Sequence, residues 1–303
     1  MQVPYSYAQV LSAAEKVKWQ VDDLLPVEAG FDFRRAFLPR GLAPTEGLGF
    51  LDAGELLTLN QIRAHAYLGT FGLVEEFILP FVLDHARPAA AADEERTRAL
   101  IGFAAEEAKH IQLFRRFRAA FAKGFGRPCG LIGPAEAVAR QVLANPSFAG
   151  ALLVLHIEWM TQRHWLECAQ DDGDLEPRFK ALLRHHWMEE AQHAKLDANM
   201  VAELGATLSA AEVLGGLEAY LGIVKHFAAA FDQQAQFDVE SLRRATGRAL
   251  DTADREQLLA QQRRANRQVY LVAGMTHPRF LASLDALHPF ARPRVEAAPQ
   301  ALA

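Results

Sequence analysis

The chain has 303 residues, of which 50% are apolar and 23% are charged, a balance that is typical of globular proteins and excludes a disordered chain. Its net charge of -5 and its pI near 6.1 provide no basic field, so we expect neither nucleic acid nor an anionic membrane surface as a partner. The two cysteines, Cys129 and Cys168, are too few for a disulfide framework or a thiolate metal cage, and we expect a cytoplasmic protein.

The first elements lie before the predicted core. A capping-box pattern, Ser12 with Glu15 three residues later, predicts a helix over residues 12–25. An irregular stretch rich in Pro, Gly and aromatic residues follows over residues 26–49. No segment has the alternation of a strand, and none approaches the roughly 18 uninterrupted apolar residues of a membrane span. The expected fold class is therefore all-α, with no membrane partner.

Four long periodic segments form the predicted core, a four-helix bundle over about residues 52–205. They cover residues 52–85, 93–124, 147–170 and 177–205. A capping pattern of Ser209 with Glu212 opens a further helical region, and a last long helix is predicted over residues 254–273. Residues 1–290 are thus expected to form one helical domain, followed by a disordered tail over residues 291–303, which is rich in Pro and Ala.

Two core helices carry the same pattern, EExxH. It consists of Glu106, Glu107 and His110 in the second core helix and of Glu189, Glu190 and His193 in the fourth. A Glu and a His three residues apart lie about 60° apart on a helix and one turn along it, so both can reach one metal ion. A mixture of carboxylate and imidazole ligands is typical of iron or manganese sites, whereas zinc favours sites with thiolate ligands.

The other two core helices each carry acidic residues inside an apolar run. Glu158 interrupts the third helix, and Glu75 and Glu76 interrupt the first. An unpaired carboxylate buried there would cost several kcal/mol, and a bound cation removes that cost. Glu76 precedes Glu107 by 31 residues and Glu158 precedes Glu190 by 32, as expected for two helix hairpins of equal size. This pattern indicates a di-metal carboxylate bundle.

Two choices remain open within the pattern. Either Glu75 or Glu76 could be the ligand, and we favour Glu76 because Gly69 and Gly72 share its side of the helix and leave room for a metal or substrate. The first glutamate of each doublet could reach its own histidine at i, i+4. As a hypothesis, Glu106 and Glu189 instead accept a hydrogen bond from the histidine of the opposite helix, the alternative being surface charge.

His186 precedes Glu190 by four residues and His193 by seven, so the three share one narrow face of a helix. A third imidazole can therefore point at the same metal, the alternative being a hydrogen-bonded core histidine. Ordinary structural roles are expected for three other histidines, His65, His156 and His164. Packing roles are expected for the tryptophans near the motifs, Trp159, Trp165 and Trp187.

The motifs resemble those of the ferritin-like di-iron superfamily over about residues 57–205. Within it, the HxxxExxH arrangement of His186, Glu190 and His193 resembles that of the p-aminobenzoate N-oxygenase family. The resemblance implies a bundle with additional N- and C-terminal helices and these metal ligands: Glu76, Glu107, His110, Glu158, His186, Glu190 and His193. It also implies two iron ions, or possible manganese, dioxygen as co-substrate, a small organic substrate oxidised at an amine nitrogen, an electron donor or reductase, and a homodimer.

Other branches of the superfamily remain to be weighed. Phe114 stands where the radical-generating subunit of ribonucleotide reductase has a tyrosine, four residues beyond the first ligand histidine, which excludes a tyrosyl radical there. Fatty-acyl or hydrocarbon hydroxylases, desaturases and ligand-binding oxidases share the two-ExxH pattern and stay open as alternatives. A non-enzymatic iron-storage or oxygen-sensing protein also stays open. We favour a dioxygen-activating oxygenase.

Overall fold

A computed structural model describes residues 4–89 and 93–302, and all regular structure in those ranges is helical. In chain order the helices are α1 (Tyr7–Ala14), α2 (Val21–Leu24), α3 (Ala53–Ala89), α4 (Glu94–Phe125), α5 (Ala135–Leu143), α6 (Ser147–Arg163), α7 (Pro177–Thr207), α8 (Ala210–Thr246), α9 (Thr252–Arg267), α10 (Ala273–Met275), α11 (Pro278–Leu287) and α12 (Ala291–Leu302). Two π-helical turns, His164–Ala169 and Gln268–Val272, continue α6 and α9. The predicted all-α class is confirmed.

The core consists of two helix hairpins. Helix α3 packs against α4 and α6 packs against α7, while α4 and α7 meet between the hairpins. Helix α8 lies across both α3 and α6. This is the ferritin-like four-helix arrangement, with α1 and α2 before it and α8 to α12 after it, as predicted.

Local sequence sets the ends of the core helices. The side chain of Asp52 accepts a hydrogen bond from the backbone of Glu55 at 2.9 Å, and the side chain of Glu55 accepts one from the backbone of Asp52 at 2.9 Å, which closes the start of α3. The predicted capping box of Ser209 and Glu212 opens α8. Helix α4 ends at Phe125, and the next residue, Gly126, has a φ of 68°, which lies in the left-handed region that glycine adopts without strain.

The prediction of one helix over residues 12–25 is wrong. Helix α1 instead starts after Ser6, whose side chain accepts a hydrogen bond from the backbone of Gln9, and it ends at Ala14. The chain is then non-helical until α2 and places the buried Trp19 against the ring of His110, at 6.2 Å between centroids. Burial of this tryptophan outweighs the weak local preference for a continuous helix.

The predicted disordered tail is also wrong, because α12 covers most of it. Val295 is completely buried, and Arg292 forms an ion pair with Asp285 at 2.9 Å. Helix α12 packs on α8 and α11, and Pro293 is tolerated because it stands in the first turn. The last residue of the predicted tail, Ala303, lies outside the described residues.

Helix α3 is by length and composition apolar enough to cross a membrane, but 72% of its most apolar window is buried inside the protein. A central helix of a bundle, surrounded by other helices, has the same composition. The apolarity of α3 is therefore accounted for by its place between α4 and α8.

Two histidines fix the π-helical turn Gln268–Val272 to the core. His164 donates from Nε2 to the carbonyl oxygen of Val269 at 3.0 Å and accepts at Nδ1 from the hydroxyl of Tyr67 at 3.1 Å. A carbonyl oxygen can only accept, and this settles which ring nitrogen carries the hydrogen. His164 thus has the structural role expected from the sequence.

His156 repeats this arrangement one residue further along the turn. Its Nε2 donates to the carbonyl oxygen of Tyr270 at 3.2 Å, and its Nδ1 accepts from the hydroxyl of Tyr220 at 2.8 Å. Burial lowers the pKa of both His156 and His164 to about 4. Both rings are therefore neutral in the folded protein at neutral pH.

Acid is expected to destabilise the fold through these two rings. In the unfolded chain each histidine takes up a proton near pH 6.5, whereas the folded form resists protonation down to about pH 4. The stabilisation is present above pH 6.5 and is lost as the pH falls, by about 2 kcal/mol per ring between pH 7 and pH 5. Urea unfolding of His164→Gln should show a smaller loss between these pH values than wild type. An equal loss in both proteins would contradict the prediction.

Candidate metal centre

A cluster of buried acids and imidazoles lies where α3, α4, α6 and α7 meet. Each of its side chains is at most 2% exposed. The members are Glu75, Glu107, His110, Glu158, His186, Glu190 and His193. Six of these seven residues belong to the set predicted from the sequence.

The donor atoms of the cluster form two overlapping groups. Glu75, His110, His186 and Glu190 make up one group, and Glu107, His110, Glu190 and His193 make up the other. Within each group, one ligand atom from every residue lies within 4.8 Å of the others. Because the groups share His110 and Glu190, they define two adjacent positions rather than two separate sites.

The preference for Glu76 over Glu75 disagrees with the structure. The side chain of Glu76 is 30% exposed and binds Arg115 at 2.8 Å, whereas Glu75 is 2% exposed and lies 3.2 Å from Nε2 of His186. The glycines that favoured Glu76 do not make room for a ligand. A Cβ on Gly72 would lie 3.4 Å from the Cβ of Phe114, so this side of α3 is where α4 packs closely.

Glu158 comes from α6 and lies beside Glu190. Burial raises its pKa well above the ordinary value, and the neighbouring charge of Glu190 raises it further. Its Oε2 atom is buried without a hydrogen-bond partner. Glu158 belongs to neither of the two four-residue groups, but it adds a fourth carboxylate at their edge.

Several polar atoms of the cluster are buried and lack hydrogen-bond partners. They are Oε2 of Glu75, both oxygens of Glu107, Nδ1 of His110 and Oε2 of Glu158. Such atoms are rare in folded proteins, because each costs about 1–3 kcal/mol. Here they face one another, with Nδ1 of His110 3.1 Å from a Glu190 oxygen. Lone pairs that converge in this way fit a bound cation, so the residues present fit a pair of metal ions.

Two acids outside the cluster fix the orientation of its histidines. Nε2 of His110 donates to Glu189 at 2.8 Å, and Nε2 of His193 donates to Glu106 at 2.8 Å. A carboxylate only accepts, so each Nε2 carries the hydrogen and each Nδ1 presents a lone pair to the cluster. The hypothesis that each doublet acid binds the histidine of the opposite helix agrees with this geometry.

Lys109 and Trp19 complete the outer side of His110. Lys109 forms an ion pair with Glu189, and its ammonium group lies 4.0 Å from the centre of the Trp19 ring. The lysine offsets the charge of Glu189. The tryptophan excludes water from the back of His110.

His186 belongs to the cluster rather than to the surrounding core. Its Nε2 atom lies 2.5 Å from Glu190 and 3.2 Å from Glu75. The rings of Phe71 and Phe114 lie edge-on to it, at 5.2 and 5.0 Å. These aromatic neighbours cannot satisfy its ring nitrogens, so the acids determine where Nε2 points.

The buried carboxylates of the cluster bind protons and cations in competition. Burial, with the charge of Glu107, raises the pKa of Glu75 well above its ordinary value. Burial opposes ionisation of Glu190, but His186 and His193 hold its pKa well below the ordinary range. Metal ions bind the deprotonated forms of these side chains. Metal binding to the cluster must therefore release the protons that its carboxylates hold, as it does at other metal sites.

Sequence reasoning missed one further acid. Asp197 is completely buried, neither of its oxygens has a hydrogen-bond partner, and burial raises its pKa well above the ordinary value. It follows His193 by four residues, and this i, i+4 spacing on the ligand face of α7 was the signal that could have found it.

Comparison with known proteins identifies a protein family whose model matches the chain. A family model described as p-aminobenzoate N-oxygenase AurF matches residues 13–273. No curated protein sequence matches the chain.

Similar solved structures include variants of R2-like ligand-binding oxidase. One with an aerobically reconstituted Mn/Fe cofactor is 15% identical, covers 89% of this chain and 98% of its own, and has a TM-score of 0.45. One with an Fe/Fe cofactor is 14% identical, covers 88% of this chain and 93% of its own, and has a TM-score of 0.44. The family model matches residues 13–273, which is most of the chain. The chain therefore belongs to the p-aminobenzoate N-oxygenase family.

Proposed function

We propose that the protein is a di-iron oxygenase that uses dioxygen to oxidise the nitrogen of a small amine. The observation that carries the proposal is the pair of overlapping buried groups that share His110 and Glu190. Family membership and this cluster make the protein a non-haem di-metal oxidoreductase. The name of the family supports an amine nitrogen as the atom that is oxidised.

The proposed ligands are the seven cluster residues, with Glu75 in place of Glu76. Four carboxylates balance the four positive charges of two ferrous ions, and neutral imidazoles add no charge. This balance matters in a buried site, where an uncompensated charge is costly. Carboxylate and imidazole donors suit iron, and manganese is the alternative.

The bound metals would supply the redox chemistry, and the chain supplies orientation and a dry site. Glu106 and Glu189 hold His193 and His110 in the tautomer that leaves Nδ1 free. Oxidation of an amine to a hydroxylamine consumes one dioxygen, two electrons and two protons and releases one water. The two electrons must come from outside, which supports a separate electron donor as a partner.

A single-turnover assay tests the function. Reduced, iron-loaded protein is mixed with dioxygen and an arylamine, and the organic products are identified. The proposal expects an N-oxidised product in wild type and in Glu76→Ala, but none in Glu75→Ala. Oxygen consumption without oxidation of any amine would overturn N-oxygenation and leave a di-metal oxidase of another kind.

We further propose that the protein acts in the cytoplasm as a homodimer. The free state of Cys129 and Cys168 supports a reducing compartment, and the resemblance to N-oxygenases supports the dimer. Light scattering of the iron-loaded protein would give the mass directly.

A further inference from the structure

A roomy pocket lies on the outer side of the bundle, between α7 and α11. Its volume is about 590 Å³, which is within the range of roughly 300–1,000 Å³ that is usual for small-molecule sites. Trp159 of α6 and Tyr5 of the N-terminal segment also line it. None of the seven cluster residues does, so a ligand in this pocket is separate from the metal centre.

The walls of the pocket consist mainly of small apolar side chains. On α7 and α11 they are Ala198, Val201, Ala202, Ala282, Ala286 and Leu287. Alanine occupies four of these six positions, and such short side chains leave the space between the two helices unfilled. The pocket extends from Arg279 to Leu287, which are eight residues apart, about 12 Å along a helix. It is therefore a slot that is long enough for a fused pair of aromatic rings or a medium-length alkyl chain.

One end of the slot carries a cation, the guanidinium of Arg279. This group lies 5.3 Å from the centre of the Trp159 ring and donates to the hydroxyl of Tyr5 at 3.0 Å. Both contacts restrict where the guanidinium points. Among the described residues, no Asp or Glu lines the slot and none forms an ion pair with Arg279. The charge at this end is therefore open to an anionic ligand.

The neighbours of Arg279 favour an anion at the same place. Tyr5 accepts the hydrogen bond of Arg279, so its own hydroxyl hydrogen is available to an acceptor in the slot. The backbone of Tyr5 is held by two hydrogen bonds with the buried side chain of Asn199, at 3.0 and 2.9 Å. His277 stacks on Trp159, 4.8 Å away, and burial with the charges of Arg163 and Arg279 lowers its pKa to about 4. This ring is neutral at neutral pH and lies in a positive field.

We propose that this pocket binds a small organic carboxylate, with the carboxylate group on Arg279 and Tyr5 and the apolar body in the slot between α7 and α11. Arg279 and the Tyr5 hydroxyl both have hydrogens to donate, and a carboxylate only accepts. The apolar body gains by burial against the alanines and Leu287. This inference goes beyond the proposed function and does not depend on it.

Calorimetry on the iron-loaded full chain, without dioxygen, tests the proposal. The probes are 2-naphthoate, octanoate and 2-naphthamide, the last of which has the ring of the first without its charge. We expect one site per chain for at least one of the two acids, and at least about tenfold weaker binding of the amide than of 2-naphthoate. Binding of 2-naphthoate alone identifies an aromatic acid as the ligand, and binding of octanoate alone identifies a fatty acid.

Three variants locate the bound acid. Arg279→Gln should weaken its binding at least about tenfold. Ala282→Trp, which fills the slot from an exposed position of α11, should abolish binding. Arg127→Gln, which removes an exposed arginine that does not line the pocket, should bind as wild type does. Metal content and helical circular dichroism show that each variant is folded.

The same titrations contain the results that would overturn the proposal. Failure of both acids to bind overturns it, and so does equal binding of 2-naphthoate and 2-naphthamide. A carboxylate can also bind directly to iron, and in that case neither Arg279→Gln nor Ala282→Trp changes its affinity, which contradicts the pocket. If neither acid binds and Ala282→Trp halves the mass measured by light scattering, the pocket is instead a contact between two copies of the chain.

Discussion

Replacing Glu75 with alanine should lower the metal content from about two ions per chain to about one or fewer, and amine oxidation should be lost. The reason is that Glu75 supplies one of the four carboxylates that face the cluster, and its Oε2 atom has no other partner. Metal analysis of protein reconstituted with ferrous iron measures the effect.

The adjacent glutamate is a matched control. Glu76→Ala has the same chemistry one residue away, yet it removes only an ion pair with the largely exposed Arg115, worth about 0.2–1 kcal/mol. It should retain both metals. If Glu76→Ala loses metal and Glu75→Ala keeps it, the register of α3 at the cluster is not the one described.

The two outer acids should have the next largest effect. Glu106→Gln and Glu189→Gln each leave one cluster histidine without the carboxylate that fixes its tautomer. Loss of such a partner typically costs about 10–100-fold in metal affinity. Competition with a ferrous chelator gives the affinity of each variant.

Glu95→Gln is the control for this pair, because Glu95 lies on the same helix as Glu106 and is exposed. It should bind iron as tightly as wild type. If Glu106→Gln and Glu189→Gln bind iron as tightly as Glu95→Gln does, the prediction is wrong. Glu106 and Glu189 would then be ordinary surface charges that do not support the ligand histidines.

The sequence was informative wherever helical periodicity determines the geometry. The i, i+3 and i, i+4 spacings of Glu107 with His110 and of His186 with Glu190 place these side chains on one face in any straight helix. The structure brings them together for that reason. The nearly equal separations within the two halves, 31 and 32 residues, likewise reflected two hairpins of similar length.

The predictions from the sequence were wrong where contacts between distant parts of the chain determine the structure. Glu75 and Glu76 differ by 100° around α3, and the packing of the helices buries Glu75 against His186 while Glu76 stays 30% exposed beside Arg115. Trp19 interrupts the first predicted helix because it packs on a histidine 91 residues away. Val295 orders the tail through contacts that local sequence does not contain.

The paired bonds between Glu106 and His193 and between Glu189 and His110 connect α4 and α7 in both directions. Each helix supplies one donor and one acceptor, so sliding of either helix by one residue, about 1.5 Å, would break both bonds at once. The two bonds therefore fix the register of α4 against α7. Thermal motion of the bundle changes the distances between the ligand atoms of these two helices less than it would without the bonds.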